Sequence, residues 1–213
     1  GDKGSNTGGM GAYCPVPIAD AKMVKYVVKN MMTPVVQLMK KQGKIYKGFL
    51  YAAVIMTEEG PKILEYNCRF GDPEAQPFVI MLKDSLYKPI SAALNGKLNE
   101  INVEFKPGAA CCIVMASNGY PAAYATGFLI GGLEKVANEF SNIKVFHAGT
   151  GIKNGKIVTN GSRVLGVTAY SEEGISKAQY DAYSAVSLIN KATTELNEKI
   201  IFIYRGDIAD KAV

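Results

Sequence analysis

The chain has 213 residues, of which 48% are hydrophobic and 20% charged, and its formal net charge is +5 at pH 7. This length fits one large domain or two small ones, and the composition is that of a folded globular protein rather than a disordered one. The sequence lacks the dense basic stripe of nucleic-acid binders, an apolar run long enough to span a membrane, and a signal-peptide core near its first residue. We therefore expect a cytoplasmic protein with no nucleic-acid or membrane partner.

A glycine-rich segment, Gly8-Gly9-Met10-Gly11, lies close to the first residue. It lacks both the GxxxxGK(S/T) pattern of a phosphate-binding loop and the strand-then-helix context of a GxGxxG motif. Taken alone, the segment indicates a turn that needs positive φ. The alternative is a loop whose backbone N–H groups approach a ligand.

Two helical patterns follow this segment. Asp20 is placed to cap a helix that runs through Met23 to Met32, and Thr33-Pro34 starts a second helix that ends near Gly43. Apolar residues, several of them methionine, recur at helical spacing in both helices. We interpret this methionine-rich stripe as core packing rather than as a ligand site.

Two strand patterns, Phe49 to Thr57 and Lys62 to Phe70, flank a turn at residues 58–61 and predict an antiparallel hairpin. Alternate side chains of a strand share a face. In the second strand one face is apolar and carries Leu64, Tyr66 and Cys68. The opposite face carries a carboxylate, an amide and a guanidinium, from Glu65, Asn67 and Arg69.

Glu65 and Asn67 are the candidate metal ligands. Their positions lie about 7 Å apart on one face of the strand, and both side chains offer oxygen atoms. Mg²⁺ prefers oxygen ligands and takes one or two carboxylates together with water and substrate phosphates. A strand face that contacts solvent is the alternative that local sequence leaves open.

Arg69 and Asp72 continue this polar region. Arg69 lies about 13 Å from Glu65 along the strand, too far for an ion pair with it to be its main role, and it is suited to bind a phosphate or a carboxylate. Asp72-Pro73 predicts a helix from Pro73 to Leu82 with Asp72 as its N-cap. Capping is the simplest role for Asp72; the alternative places it, with the helix N–H groups, beside the metal face.

A boundary near Lys106-Pro107-Gly108 predicts two domains, residues 1–106 and residues 107–213. A helix pattern at Ser85–Leu94 closes the first domain, and a hairpin turn at Asn154-Gly155 lies within the second. The second domain should contain five strands and one long helix, at Ala110–Ala116, Ile143–His147, Lys156–Thr159, Arg163–Tyr170, Ile200–Tyr204 and Ile175–Leu196. This antiparallel layout predicts an α+β fold.

The remaining candidates for chemistry are thiols, a histidine and an arginine. The cysteines, Cys14, Cys68, Cys111 and Cys112, show no zinc-binding spacing, and we expect buried or half-buried thiols in a reducing compartment. The lone histidine, His147, is interpreted as structural because no nucleophile accompanies it. Arg163 has two open roles, a structural one and one that bridges the second domain towards the active-site face.

Three segments carry a family resemblance. The run from Leu64 to Gln76, LEYNCRFGDPEAQ, resembles the signature of the phosphoribosylamine–glycine ligase (glycinamide ribonucleotide synthetase) family of ATP-grasp enzymes. The segment Asn6–Tyr13, NTGGMGAY, resembles the glycine-rich loop of that family. The third segment, Val145–Thr150 followed by Thr159–Leu165, resembles its C-terminal domain, and all three occur in the family order.

The resemblance implies a fold and a reaction. The fold would be the C-terminal half of an ATP-grasp domain, with its antiparallel sheet and helices, followed by a small α+β C-terminal domain. The reaction would join glycine to 5-phosphoribosylamine with ATP, through a glycyl-phosphate intermediate, and give glycinamide ribonucleotide, ADP and phosphate.

The resemblance also implies residue roles. Glu65 and Asn67 would hold Mg²⁺ or Mn²⁺, while Arg69 and Asp72 would face the reacting groups. The acceptor substrate would contact Asp2 and the loop residues Thr7, Gly8, Gly9, Met10 and Gly11.

The family enzyme has further N-terminal parts that precede the first residue of this chain, including the subdomain that closes on adenine. We therefore expect a C-terminal portion that is inactive alone and has the missing N-terminal part as its partner. Two alternatives are a binding or scaffold module without catalysis and a different ATP-grasp ligase of the carboxylase type. The NTGGMGAY and FHAGT segments argue against the second alternative.

Overall fold

The computed structural model describes residues 3–213. Its strands are β1 Gly11–Cys14, β2 Tyr51–Thr57, β3 Gly60–Asn67, β4 Ala109–Ser117, β5 Ile143–His147, β6 Thr150–Lys153, β7 Lys156–Thr159, β8 Arg163–Ser171 and β9 Phe202–Ile203. Its α-helices are α1 Ala21–Val27, α2 Thr33–Lys41, α3 Ala75–Met81, α4 Tyr87–Leu94, α5 Leu133–Glu139 and α6 Ile175–Asn197. A π-helical turn joins α1 to α2 at Val28–Met32, and short 3₁₀ turns occur at Leu98–Glu100 and Asp210–Ala212.

The described residues form two compact units that interleave along the chain. The first unit contains the described part of Gly1–Cys14, together with Asp72–Met81 and Lys106–Val213. The second unit contains Pro15–Gly71 and Leu82–Phe105. The units do not follow the expected linear division at residue 106, because two segments of the first half pack with the C-terminal core. The assignment of separate domains to the two halves of the sequence stays a prediction.

The first unit is built on an antiparallel sheet with the strand order β1-β4-β8-β5, and β9 also pairs with β4. All nine residues of β4 are buried. A strand that is apolar on both faces needs cover on both. α6 packs against β4 and β8, and α3 contacts the same two strands. The α+β class predicted from the sequence is therefore confirmed.

Helix α6 supplies the main helical face of the core. Its buried apolar residues recur at spacings of three and four and consist of Ala178, Ala182, Ala185, Val186 and Ile189. Alanine side chains allow the helix to lie close to the sheet. The sequence predicted this face, and the structure confirms it. In the described part of the chain, no helix combines the length and apolarity needed to cross a membrane.

A small hairpin of β6 and β7 extends the first unit. Its turn residues, Asn154 and Gly155, both have positive φ, at 51° and 73°. This is the backbone that Asn-Gly favours in two-residue hairpin turns, and the predicted turn is confirmed. Strand β6 and helix α5 were not predicted. Both are short, and glycine lies within the first and directly before the second, so neither shows a clear apolar period.

The second unit begins with one continuous helical stretch formed by α1, the π-helical turn and α2. Asp20 caps it as predicted, since its carboxylate Oδ1 accepts a hydrogen bond of 2.7 Å from the backbone N of Met23. Within residues 21–41, all of which the structure describes, no side chain is buried. The residues at the helical period, among them Met23, Val27, Met31 and Met39, are half-buried, so the interpretation of the methionine-rich stripe as core packing holds only in part.

The cysteines fall into three environments. Cys111 and Cys112 are buried in β4, Cys14 is half-buried, and Cys68 is exposed. The expectation of a buried or half-buried thiol is thus wrong for Cys68, which lies just after the end of β3. Burial raises the pKa of Cys111 and of Cys112 to about 12, and it also raises the pKa of Cys14.

These environments predict a graded thiol reactivity. At mildly alkaline pH a thiol-specific disulfide reagent should modify Cys68 first and Cys14 more slowly, because the thiolate is the reactive form. Cys111 and Cys112 should react after denaturant is added. Rapid labelling of all four thiols in the folded chain, followed by absorbance and mass spectrometry, would contradict this assignment.

The raised folded-state pKa of these two thiols also predicts a pH dependence of stability. Their contribution to the free energy of unfolding is present below the unfolded-state pKa of about 8.5 and should be lost as the pH rises through the folded-state pKa.

Candidate active site

The glycine-rich segment leads directly into the sheet of the first unit. β1 pairs with β4 in the register Gly11 with Ile113 and Cys14 with Ala110. Just before β1, the backbone O of Met10 accepts a hydrogen bond of 3.1 Å from the N of Val114, and the Met10 side chain is buried. The C-terminal end of the glycine-rich segment is therefore fixed to the central strand.

Close approach, rather than backbone conformation, explains why the segment is glycine-rich. Within residues 3–213, the glycines with positive φ begin at Gly43, so neither Gly8 nor Gly9 forms the turn expected from local sequence. A Cβ atom on Gly9 would lie 2.4 Å from Cδ of Pro73. A Cβ atom on Gly8 would lie 3.3 Å from Cζ of Arg163. The backbone of the segment is pressed against both neighbours.

The Arg163 guanidinium connects this loop to Asp72. Its Nη1 donates hydrogen bonds to the backbone O of Gly9 at 3.0 Å and to the backbone O of Asp72 at 2.7 Å. Its Nη2 lies 2.8 Å from Oδ2 of Asp72, and the two side chains are 24% and 46% exposed. A charge-assisted pair with this partial burial is stronger and less screened than a surface ion pair.

Asp72 does not cap a helix as predicted. Helix α3 begins at Ala75, after a turn at residues 72–74. The Asp72 carboxylate instead accepts a hydrogen bond of 2.9 Å from Nε2 of Gln76 and forms the ion pair with Arg163. Its partners are therefore a side chain of α3 and a side chain at the start of β8.

A cavity of about 800 Å³ in the first unit lies along the glycine-rich loop. Residues 3–11 line it, together with Tyr120, Tyr204 and Arg205 from two other loops. Tyr120 also holds the loop, since its Oη accepts a hydrogen bond of 2.8 Å from the N of Gly8. Of the predicted loop residues, Thr7 is exposed and lines the cavity, whereas Met10 directs its side chain into the core.

Tyr120 and Arg205 are site residues that the sequence reasoning missed. Tyr120 lies in a turn after β4, and Arg205 follows the last strand, so neither residue stands in a recognisable local motif. Arg205 binds Asp207 through its Nε at 2.7 Å, and this hydrogen bond holds the pKa of the Asp207 carboxyl well below its usual range. Tyr183 of α6 fixes the same segment, because its Oη donates to the O of Arg205 and accepts from the N of Ile208.

The second unit contains the candidate metal ligands. Glu65 and Asn67 lie in β3, opposite Ala53 and Tyr51 of β2. Nδ2 of Asn67 donates a hydrogen bond of 2.8 Å to Oε1 of Glu65, so the structure brings the two predicted ligands together. The neighbouring face is not a core as expected, since Leu64 is 66% exposed.

The free oxygens of Glu65 and Asn67 suit a cation that also binds phosphate groups. The hydrogen bond uses the amide nitrogen of Asn67, which leaves its oxygen and the second carboxylate oxygen of Glu65 as possible ligands. Among residues 3–213, no group of three or more His, Cys, Asp or Glu side chains is placed to hold a metal ion. Mg²⁺ at enzyme sites commonly takes one or two carboxylates and completes its shell with water and substrate phosphates. The pair therefore fits such an ion and does not form a protein cage.

The two remaining predicted site residues have different outcomes. β3 ends at Asn67, so the expected strand to Phe70 is too long and Arg69 does not share the strand face of Glu65. Its Nη1 donates a hydrogen bond of 2.7 Å to the backbone O of Phe70. Asp2 lies outside the described residues.

Two family models match the chain. Residues 1–75 match phosphoribosylglycinamide synthetase, ATP-grasp (A) domain, and residues 110–211 match phosphoribosylglycinamide synthetase, C domain. Phosphoribosylamine–glycine ligase from Rhodopirellula baltica is 47% identical over 214 residues, which cover 100% of this chain and 47% of that protein. The trifunctional purine biosynthetic protein adenosine-3 of Gallus gallus is 44% identical over 214 residues, which cover 100% of this chain and 20% of that protein.

Solved structures agree with these matches. A crystal structure of phosphoribosylamine–glycine ligase from Thermotoga maritima has 34% sequence identity and a TM-score of 0.73, and the match covers 98% of this chain and 48% of that chain. The biotin carboxylase domain of the Hydrogenobacter thermophilus 2-oxoglutarate carboxylase has a TM-score of 0.60 at 16% identity, which shows a shared fold alone.

The fold and the matched models together define part of an ATP-grasp protein. The chain belongs to the phosphoribosylglycinamide synthetase family, and the resemblance drawn from the three sequence segments is confirmed. It spans about half the length of the two phosphoribosylamine–glycine ligases named above.

The contact of Gly9 with Pro73 predicts the effect of a single methyl group. Gly9→Ala should lower the free energy of unfolding by about 1–3 kcal/mol, because the new Cβ atom overlaps the proline ring and the loop must move. Gly206→Ala is the matched control, since a Cβ atom there meets nothing within 4 Å. Chemical denaturation of both variants measures the difference. Equal stability of the two variants would show that the loop does not lie against Pro73.

Proposed function

We propose that the complete protein to which this chain belongs joins glycine to 5-phosphoribosylamine at the expense of ATP, giving glycinamide ribonucleotide, ADP and phosphate. The observation that carries this proposal is the loop of the first unit, where Arg163 binds the backbone O of Gly9 and pairs with Asp72, in a chain that is 47% identical over its whole length to a phosphoribosylamine–glycine ligase. The proposed location is the cytoplasm.

The proposed reaction has two steps. A carboxylate oxygen of glycine attacks the γ-phosphorus of ATP, so that ADP leaves and glycyl phosphate forms. The amine nitrogen of phosphoribosylamine then attacks the glycyl carbonyl carbon, the bond to phosphate breaks, and the nitrogen loses a proton. Both steps bring several negative charges together, so the site must supply cations and oriented hydrogen-bond donors.

Glu65 and Asn67 are the proposed ligands of Mg²⁺ or Mn²⁺. Their side chains are joined by a hydrogen bond near the end of β3, and this bond restrains the Glu65 carboxylate. When bound, the ion would offset phosphate charge and orient the transferred group. Arg69 is proposed to bind a phosphate or carboxylate oxygen through its planar guanidinium. On binding, the guanidinium would release the backbone O of Phe70 and donate to the charged oxygen instead.

Asp72 and the glycine-rich loop are proposed to contact the reacting amine and the acceptor substrate. The loop contributes through its backbone at Gly8, Gly9, Met10 and Gly11, because the Met10 side chain is buried and the glycines have none. Thr7 adds a hydroxyl at the cavity, and Asp2 is proposed as a further contact. The Asp72 carboxylate has fixed partners in Arg163 and Gln76, which suits a group that must hold one orientation.

This chain by itself is proposed to lack ligase activity and to require the rest of the polypeptide. The support for this is its span of about half the single-enzyme relatives, together with the closing of ATP-grasp sites around a nucleotide from two subdomains. The alternative functions are a binding or scaffold module and another ATP-grasp ligase. The match of residues 110–211 to the C domain of the family favours the glycine ligase over the latter.

Replacing the candidate metal carboxylate tests the proposed site. In the complete enzyme, Glu65→Gln should lower kcat by roughly a hundredfold or more, because a neutral amide binds a divalent cation less strongly. The thermal midpoint should stay within about 2 °C of the wild type, since Glu65 is exposed. Glu59→Gln is the matched control in the β2–β3 turn and should keep normal turnover. A Glu65→Gln enzyme with near-normal kcat at low magnesium would reject the assignment.

The proposed need for the rest of the polypeptide is tested by comparing two proteins. The purified 213-residue chain should release no ADP in response to glycine and phosphoribosylamine, whereas the complete enzyme should do so. Calorimetric titration of each protein with Mg-ATP gives the corresponding affinities, and the chain should bind more weakly by at least about tenfold because it supplies part of the nucleotide contacts. Substrate-dependent ADP release by the chain alone would contradict this proposal.

A further inference from the structure

We propose that Arg163 is a positioning residue that couples the glycine-rich loop to Asp72, so that affinity for the acceptor amine and orientation of the Asp72 carboxylate depend on one guanidinium group. This inference rests on the proposed function. The sequence alone left Arg163 open between a structural role and a role towards the active-site face. The geometry points to the second role.

The guanidinium bridges two segments that are far apart in sequence. Nη1 reaches the backbone O of Gly9 and the backbone O of Asp72, and Nη2 reaches the Asp72 carboxylate. Donors fixed in one plane can satisfy several acceptors at once, whereas a lysine ammonium is a compact group on a flexible stem. The bridge therefore depends on arginine and not simply on a positive charge.

On the loop side, the guanidinium lies against the backbone. A Cβ atom on Gly8 would lie 3.3 Å from Nε and Cζ of Arg163, so a side chain at this position would require the guanidinium to shift by a few tenths of an ångström. Tyr120 holds the N of Gly8, and Pro73 lies against Gly9. These contacts set the position of the loop, and residues 3–11 also line the cavity.

On the acid side, the carboxylate is held by two partners. Oδ2 of Asp72 faces Arg163, and Oδ1 accepts the hydrogen bond from Gln76 of α3. The carboxylate is 46% exposed, so it is accessible as well as oriented. Loss of the guanidinium would remove one of these restraints and would also release the Asp72 backbone O.

Hydrogen bonds hold the backbone of Arg163 in place, and this limits where its guanidinium can lie. Arg163 is the first residue of β8, and its O accepts a hydrogen bond of 2.9 Å from the N of Gly149. The preceding residue, Ser162, accepts a hydrogen bond of 2.7 Å from the N of Ser117 at the end of β4. Because the guanidinium is attached to the central sheet, its hydrogen bonds hold the loop and Asp72 at fixed positions relative to that sheet.

Steady-state kinetics of the complete enzyme tests the coupling. Arg163→Lys should raise KM for phosphoribosylamine and lower kcat, each by about tenfold or more, because charge-assisted hydrogen bonds to both segments are lost. KM for ATP should stay within about twofold, since the bridge holds the loop and Asp72. Tyr120→Phe removes a loop contact and leaves the Asp72 contacts in place, so it should raise KM for phosphoribosylamine by a larger factor than it lowers kcat. Lys177→Gln is the matched control, because it breaks an ion pair with Asp181 elsewhere in the same unit.

Hydrogen exchange of the 213-residue chain gives a readout that does not require activity. Amides of residues 6–11 should exchange faster in Arg163→Lys and in Tyr120→Phe than in the wild type, and not in Lys177→Gln. A wild-type enzyme without ligase activity would reject the proposed function, and loop exchange would then decide the coupling by itself. An Arg163→Lys enzyme with both kinetic constants within twofold of the wild type, or a variant chain with unchanged loop exchange, would overturn the inference.

Discussion

The pairing of β1 with β4 is the interaction on which the candidate site of the first unit depends. It joins residues about a hundred positions apart and fixes the strand that follows the glycine-rich loop to the most buried strand of the sheet. Arg163 begins β8, which pairs with β4 in the same sheet. The guanidinium and its acceptor at Gly9 are therefore both held by strands that pair with β4. A loop without side chains at Gly8 and Gly9 thereby acquires a defined position.

The elements that the sequence predicted well are those determined by local pattern. The apolar period of α6, the run of β5 and the Asn-Gly turn each depend on residues within the element, and the Asp20 cap depends on a neighbour three residues away. β1 could not be predicted in this way, since its short sequence contains glycine and its partner lies in β4. The methionine-rich stripe has a helical period that is correct, but period alone does not show whether a face is covered.

The residues of the candidate site also fall into those that local sequence predicts and those that depend on distant packing. The i, i+2 spacing on one strand was enough to bring Glu65 and Asn67 together, and the family signature drew attention to Asp72 and Gly9. The partners of Arg163 could not be found from sequence, because two of its acceptors are backbone oxygens that any residue would supply. Tyr120 and Arg205 were missed for a related reason, since each reaches the cavity from a loop whose course is set by distant packing.

The central strand also bears on how the chain is made. β4 pairs with β1, which is synthesised before it, and with β8 and β9, which are synthesised after it. On the ribosome β4 therefore emerges with one neighbour already present, while its other edge stays open until about fifty further residues have been added. Unpaired apolar edges are sites of aggregation. Early pairing with β1 covers residues 110–113 of β4, so the segment that shapes the loop in the folded protein also shields part of β4 during translation.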